Sequence, residues 1–444
     1  MFERKVYGQL LEWKNKYSDK YAVLLEGARR VGKSTIAKMF AEKEYKSHIF
    51  IDFSNTISDI KNLFNDMTNL DMFFLKLQTY TQVQLYEKES VIIFDEVQLF
   101  PLARQAIKHL VHDGRYSYIE TGSLISIKKN VKKILIPSEE YKINVYPLDY
   151  EEFLKATNLG NYDILDQLNK VNKPIGEALN RKLMNTFRVY MAVGGMPQAV
   201  EAFINKKTFE EIDFIKRGII SLYMDDFKKI DPSGRIAAIY NSIPSQLALN
   251  KKRYVLSNCL NKKITKKDEE LLYDLIDSKT VLISHNITQP SISLSLTKRF
   301  DSYKLYLSDI GLFTTMLFNN DYKTDDNIYK KLMANKLDVN LGYLYENVVA
   351  QIIKSQNKEL YYYTWNKKDS THYYEIDFLI TKNNKVVPIE VKSGLIKNYN
   401  SLNAFCDTYS NIVGERYLIS PKDLGNIEMI KLKPFYLLPF IIWF

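Results

Sequence analysis

The chain has little cysteine. Only Cys259 and Cys406 occur in 444 residues, and they lie in unrelated segments. Two thiols without paired spacing exclude a disulfide framework and a cysteine-based zinc site, and they fit a reducing, cytoplasmic setting. Long apolar runs are also lacking. The last eleven residues, PFYLLPFIIWF, are apolar but too short to span a bilayer, and they read as a final buried strand. No stretch reaches transmembrane length, so no membrane partner is expected. The opening segment, MFERKVYGQLLEWKNKY, is charged throughout and does not read as a secretory signal. No internal repeat or low-complexity tract is present.

A hydrophobic content of 46% supplies ample core, and 444 residues exceed what one core organises, so two or three domains are expected. Lys and Arg number 62 against 52 Asp and Glu, a net charge of +10. That excess either steers polyanions such as DNA toward the chain or reflects lysine used as a general surface charge.

After a lead-in helix over 4–20, strands alternate with helices. YAVLLEG, HIFIDFS, VIIFDEV, YSYIETGS and the start of YKINVYPLDYEEFL read as strands. Such alternation predicts an α/β domain, a parallel sheet with helices on both faces, over 1–155. The region 156–335 reads as mostly helical, with a Gly-Gly turn in YMAVGGMPQAV. Its helices are followed by a short β pair, VLISHNI and ISLSLTK, an order compatible with a winged helix. The basic clusters Lys251-Lys252-Arg253, Lys262-Lys263 and Lys266-Lys267 lie here, either as phosphate contacts or as a solvated basic face. From 336 to 444 a helix, LGYLYENVVAQIIKSQ, leads into the aromatic and β-branched runs ELYYYTW, YYEIDFLIT and VVPIEVKS, then a helix near 400–409. This predicts a small α/β domain.

Three local patterns carry chemistry. The first is Gly27-Ala28-Arg29-Arg30-Val31-Gly32-Lys33-Ser34-Thr35, set between a strand and a helix. This is the spacing of a Walker A P-loop. Glycine lets successive N–H groups turn toward phosphate oxygens, and the helix start adds its positive dipole end. Lys33 would reach the β- and γ-phosphates of ATP, and the Ser34 hydroxyl would bind Mg2+.

The second pattern is the apolar strand ending in Asp95-Glu96, of Walker B type. Asp95 would hold the Mg2+ shell and Glu96 would act as general base on the attacking water. The next strand ends in Glu120-Thr121-Gly122-Ser123, where Thr121 or Ser123 could orient that water. Gln98 could report on the γ-phosphate. Arg29, Arg30, Arg104 and Arg115 are available cations, but none has the spacing that marks an arginine finger.

The third pattern pairs Glu375-Ile376-Asp377 with Glu390-Val391-Lys392 across a short hairpin, which brings Asp377 close to Glu390. Asp377 and Glu390, completed by Glu346, could hold a second divalent ion, Mg2+ or Mn2+. Alternation puts Lys392 on the face of Glu390, where it could activate a water or stabilise a pentavalent phosphorus. Charged outward positions on a hairpin are the common alternative, but the clustering of four such groups within about fifty residues favours a nuclease-like site.

Taken with these motifs, the chain resembles prokaryotic AAA-family ATP-binding proteins that carry a C-terminal domain of unknown function related to PD-(D/E)XK nucleases. The resemblance covers almost the whole length. It rests on GARRVGKS, FDEVQLFP, ETGS, YPLDYEEFL, VGGMPQAV, KLYLSDIGL, GYLYENVVA, EIDFLI and PIEVKSG. It implies an AAA+ P-loop domain, a winged-helix middle and a restriction-endonuclease-like end. Lys33, Ser34, Asp95 and Glu96 match its nucleotide motifs, and Glu346, Asp377, Glu390 and Lys392 its nuclease-like motifs. Many relatives carry a Gly-Arg pair shortly before the PL-x-x-EF segment. Here that stretch reads ILIPSEEYKINVYPLDYEEF, without arginine. The expected function is Mg2+-dependent ATP hydrolysis by a cytoplasmic protein acting on DNA, with oligomerisation open. The alternative is a nucleotide-dependent switch or scaffold whose nuclease-like part binds nucleic acid or protein without cleaving it.

Overall fold

The computed structural model describes residues 2–122, 137–249, 251–318, 326–337, 341–367, 370–394, 396 and 398–442. They divide into two compact units. Glu3–Tyr146 with Asp277–Thr280 form the first, and Pro147–Ile276 with Val281–Phe444 form the second.

Five runs of the first unit become strands: β1 (Ala22–Glu26), β2 (Ser47–Asp52), β3 (Ser90–Asp95), β4 (Ser117–Gly122) and β5 (Glu140–Asn144). They pair in parallel in the order β2-β3-β4-β1-β5. All residues of β1, β3 and β4 are buried, which is why these strands read as continuous rather than alternating apolar runs. Helices Lys33–Glu44 and Pro101–Asp113 are among the connections. Pro101 starts its helix at a position that needs no N–H, and Gly114 ends it with φ +73°. One core joins Leu24, Ile92, Phe94 and Tyr118 of the sheet to Phe64, Phe73 and Phe74. Because β1 lies between β4 and β5 while β2 lies at the far edge, the chain changes direction beside the carboxyl end of β1. That crevice is where open α/β sheets bind ligands.

The second unit is helical around a mixed sheet. Its described strands are β6 (Val281–Ile287), β7 (Lys298–Leu307), β8 (Leu360–Asn366), β9 (Tyr373–Lys382), β10 (Lys385–Val391), β11 (Tyr417–Ser420), β12 (Gly425–Ile427) and β13 (Ile430–Pro434). Their order is β12-β13-β11-β10-β9-β8-β6-β7. Asn383 and Asn384, both at positive φ, make the two-residue turn between β9 and β10.

The Gly-Gly turn is a packing device. A Cβ on Gly195 would lie 2.0 Å from the Leu148 carbonyl oxygen, and one on Gly194 would lie 2.7 Å from Cα of Gly311. Buried Asp309 closes this contact. It accepts from Gly195 N–H at 2.6 Å and caps helix Ile310–Leu317 through Leu312 N–H at 2.9 Å. The VGGMPQAV, YPLDYEEFL and KLYLSDIGL segments thus meet at one point.

Two expectations are corrected. Residues 435–442 form helical turns, Phe435–Leu437 and Leu438–Ile442, and β13 is the last described strand. Alternation was never available there, since Phe435, Leu437, Leu438, Ile441 and Ile442 are all buried. ISLSLTK is not a strand either: Leu294–Thr297 is a single 3-10 turn and β7 begins at Lys298. Its apparent alternation does not mark a buried face, because Ile292 and Leu296 are exposed and Leu294 alone of the three reaches the core. The β6–β7 pair joins the large sheet, with β6 parallel to β8. No helix among the described residues is long and apolar enough to cross a membrane.

Candidate functional site

The phosphate-binding loop leaves the buried strand β1 at Gly27. Val145 N–H donates to the Glu26 carbonyl at 2.7 Å, so the chain after β5 lies against this exit. A Cβ on Gly27 would sit 2.2 Å from the Val145 carbonyl oxygen, and only glycine fits. Arg30 and Gly32 adopt positive φ, 70° and 94°, and curl the loop into helix Lys33–Glu44. Ser34 and Thr35 lie in the first turn of that helix, whose start has no side-chain cap among the described residues. Ala28 and Val31 are buried.

Lys33 is 7% exposed, and its Nζ donates to the carbonyls of Gly27 at 3.0 Å and Ala28 at 2.9 Å. Burial pulls its pKa down to about 8, against the opposing charges of Glu96 and Asp95.

The acidic pair sits at the carboxyl end of β3. Asp95 is buried, and Glu96 has φ +53° at the strand exit. Thr121, at the end of β4, donates its hydroxyl to Asp95 Oδ1. The Glu96 N–H lies 3.4 Å from the same hydroxyl oxygen. Gln98 donates through Nε2 to Glu96 Oε2. The structure therefore brings Lys33, Asp95, Glu96 and Thr121 to one crevice. Ser123 lies outside the described residues.

These groups fit a nucleotide polyphosphate with Mg2+. A buried ammonium rests on neutral carbonyls, an uncapped helix start points into the loop, and a carboxylate stands beside them. Two of the candidate arginines are engaged elsewhere. Arg104 forms a buried two-pronged pair with Glu140 at 2.6 and 2.7 Å, and Arg115 binds Asp113 and Asp71.

The second unit carries a cleft of about 470 Å³, lined by Glu346, Asp377, Glu390 and Lys392 together. Asp377 and Glu390 come from β9 and β10, Glu346 from helix Gly342–Ser355. Asp377 Oδ2 accepts from Val391 N–H at 2.7 Å, and Lys392 Nζ donates to Glu390 Oε1 at 2.7 Å. Burial raises Asp377 well above the usual carboxylate range, and the adjacent charge of Glu390 adds to it. Burial raises Glu390 too, although Lys392 opposes the shift.

Two residues that the motifs did not single out complete the cluster. Lys304 of β7 is nearly buried, and its Nζ donates to Glu346 Oε1 at 2.8 Å and Glu375 Oε1 at 2.7 Å. Burial opposes its charge, yet Glu346 and Glu375 hold its pKa well above the ordinary lysine value. Tyr306, two residues along the strand, also donates to Glu346. The available signal was a lysine inside the apolar run KLYL, because a lysine in a covered strand needs a carboxylate partner. Glu390 Oε2 and Glu375 Oε2 are buried without a hydrogen-bond partner among the described residues. Exposed Lys251 and Arg253 also line the cleft, so its deep surface is acidic and its outer edge basic. Among the described residues no group of three or more His, Cys, Asp or Glu side chains is arranged to hold a metal ion.

Residues 19–154 match the family model described as an AAA domain. Residues 184–323 and 341–429 match two further families, each described as a domain of unknown function (DUF8612 and DUF4143). No curated protein matches the chain. Among solved structures, the Thermotoga maritima RuvB Holliday junction branch migration motor aligns at 12% identity. The alignment covers 63% of this chain and 89% of that one, with a TM-score of 0.29. The structure of C. elegans PCH-2 aligns at 11% identity over 40% of this chain and 50% of that one, with a TM-score of 0.22. The chain thus joins an AAA domain with a parallel P-loop sheet to two regions matched by families of unknown function, and the cleft takes its residues from both of those regions.

Proposed function

We propose that the protein is an AAA+ ATPase that binds and hydrolyses ATP with Mg2+ and acts on DNA through its second unit. The convergence of Lys33, Asp95, Glu96 and Thr121 at the carboxyl ends of β1, β3 and β4 carries the first half of this reading. Ser34 and Asp95 would hold Mg2+, which would neutralise phosphate charge there. Lys33 leaves the Gly27 and Ala28 carbonyls for the β- and γ-phosphates. The N–H groups of residues 27–35 cradle the same oxygens. Thr121 keeps Asp95 oriented, and Glu96, steadied by Gln98, takes the proton of the attacking water. The assay is phosphate release by the wild type and by Lys33→Ala. Equal rates in the two proteins would sink the ATPase reading.

The basic edge of the cleft supports DNA as the partner of the second unit, with residues 156–335 and 336–444 building the cleft jointly. If ATP turnover and DNA engagement are linked, DNA raises the ATPase rate of the wild type and has no effect on Glu96→Gln. Metal-dependent cleavage through Glu346, Asp377, Glu390 and Lys392 is one reading of the cleft. Lys304 favours the other, in which the cleft binds DNA without cutting it, because a cation of the chain itself already answers the carboxylates. Mg2+- or Mn2+-dependent nicking by the wild type that disappears in Asp377→Asn would restore the cleavage reading.

A further inference from the structure

Four carboxylates line one cleft, yet the ammonium of Lys304 stands among them. It lies 2.8 Å from Glu346 Oε1 and 2.7 Å from Glu375 Oε1. A divalent ion bound to those two oxygens at its usual distance of about 2.0–2.6 Å would fall in the space held by Nζ, and its charge would face that of the lysine. The lysine is well anchored there. Its side chain is 7% exposed, its Nζ lies 5.3 Å from the centre of the Tyr362 ring, and Tyr306 holds Glu346 from the same strand. The two remaining carboxylates are occupied on one oxygen each, Asp377 by Val391 N–H and Glu390 by Lys392. One oxygen of each of the four carboxylates thus carries these bonds, and of the other four the Oε2 atoms of Glu390 and Glu375 are buried without a partner among the described residues.

We infer that Lys304 is the built-in cation of this cleft: it takes the place of a divalent metal among Glu346, Glu375 and Asp377, keeps metal ions out, and leaves phosphate contact to Lys251, Arg253 and Lys392. This rests on the reading of the cleft as a site that binds without cutting. It adds the residue responsible and the class of ion that the residue excludes. Lys304 is a positioning residue here: it holds Glu346 and Glu375 and touches no substrate.

The test is Mn2+ binding by the full chain without nucleotide, followed by electron paramagnetic resonance of free Mn2+ and by Tm. The wild type should bind no Mn2+ in the cleft at concentrations up to about 1 mM, and its Tm should not respond. Lys304→Met loses the internal cation and should melt lower. It should gain one Mn2+ at least tenfold more tightly than the wild type, with a matching rise in Tm. The gain should vanish in Lys304→Met combined with Glu375→Gln. Lys304→Arg keeps the charge, should fold, and should stay indifferent to Mn2+. With the wild type and a folded Lys304→Met chain in hand, two results overturn the inference. One is Mn2+ binding by the wild type that is lost in Glu390→Gln. The other is a folded Lys304→Met chain that gains no Mn2+. If Lys304→Met does not fold, the wild type and Lys304→Arg decide, since binding of Mn2+ in the cleft of either one overturns it. DNA affinity measured on the same wild-type protein tests the underlying reading separately. Absence of DNA binding with the Mn2+ results intact removes the ligand and leaves the role of Lys304 standing.

Discussion

The Thr121 hydroxyl donates to Asp95 Oδ1 across the parallel pair of β4 and β3. One hydroxyl therefore fixes the carboxylate expected to hold the Mg2+ shell, and its oxygen lies 3.4 Å from the N–H of Glu96, the expected base. Thr121→Val keeps the shape and removes this tie. We expect kcat for ATP to fall by roughly 10–100-fold, with nucleotide affinity changed by less than about threefold, as for loss of an orienting contact. Single-turnover hydrolysis beside a nucleotide-binding titration separates the two effects.

Gly27 and Gly8 form a matched contrast. A Cβ on Gly27 meets the Val145 carbonyl oxygen at 2.2 Å, while one on Gly8 meets nothing within 4 Å. Gly27→Ala must push β1 from the chain after β5 and should weaken nucleotide binding by at least tenfold while lowering Tm. Gly8→Ala, inside helix Lys5–Lys16, should raise stability by about 0.5–1 kcal/mol through helix propensity. Thermal melts and a fluorescent-nucleotide titration check both.

Lys33 sets a pH dependence. Its pKa without nucleotide is down to about 8, and a polyphosphate beside it must raise that value toward the ordinary lysine range. Binding is then fully supported below pH 8 and weakens as pH rises through 8 toward the bound-state pKa, by up to about tenfold per unit. Nucleotide affinity measured from pH 6.5 to 9.5 should be flat at first and then fall. Lys33→Arg should remove the fall, because a guanidinium stays charged across this range.

Arg104 neutralises a buried acidic pocket in the first unit. It binds Glu140, and Glu120 lies beside them with both carboxylate oxygens unpartnered among the described residues. Arg104→Met leaves these carboxylates without a cation and should cost about 3–5 kcal/mol, the usual result of breaking a buried pair from one side. Burial, and then the charge of Glu140, raise Glu120 well above the normal carboxylate range. Its contribution to stability is therefore present in acid and declines as pH rises above the unfolded value near 4.3. Glu120→Gln removes that decline, so its Tm should gain on the wild type between pH 5 and pH 8.

The first unit was legible in its sequence because its information is local. Strands buried on both faces announce themselves as short apolar runs, as in AVLLE and SVIIFD, and the loop and the acidic pair follow them directly. Gly27, Asp95, Glu96 and Thr121 could be named from their places at strand ends, and Lys33 from its place at the start of the helix after the loop. The hairpin of β9 and β10 was legible for the same reason, through its Asn383-Asn384 turn. The closing segment and ISLSLTK misled because apolar content or alternation was read as strand without knowing which side chains had a core to meet.

The cleft of the second unit was only half legible. Asp377, Glu390 and Lys392 lie within one hairpin, and spacing alone suggested that they meet. Lys304 bonds to carboxylates 42 and 71 residues away, on a helix and on another strand. By itself, the sequence determined the strand–loop–helix that places a phosphate site and the chemical character of the residues around it. Only the tertiary structure decided that a lysine of β7 stands among the carboxylates. Which charges share a buried volume depends on the packing of distant elements, and local spacing carries no record of that.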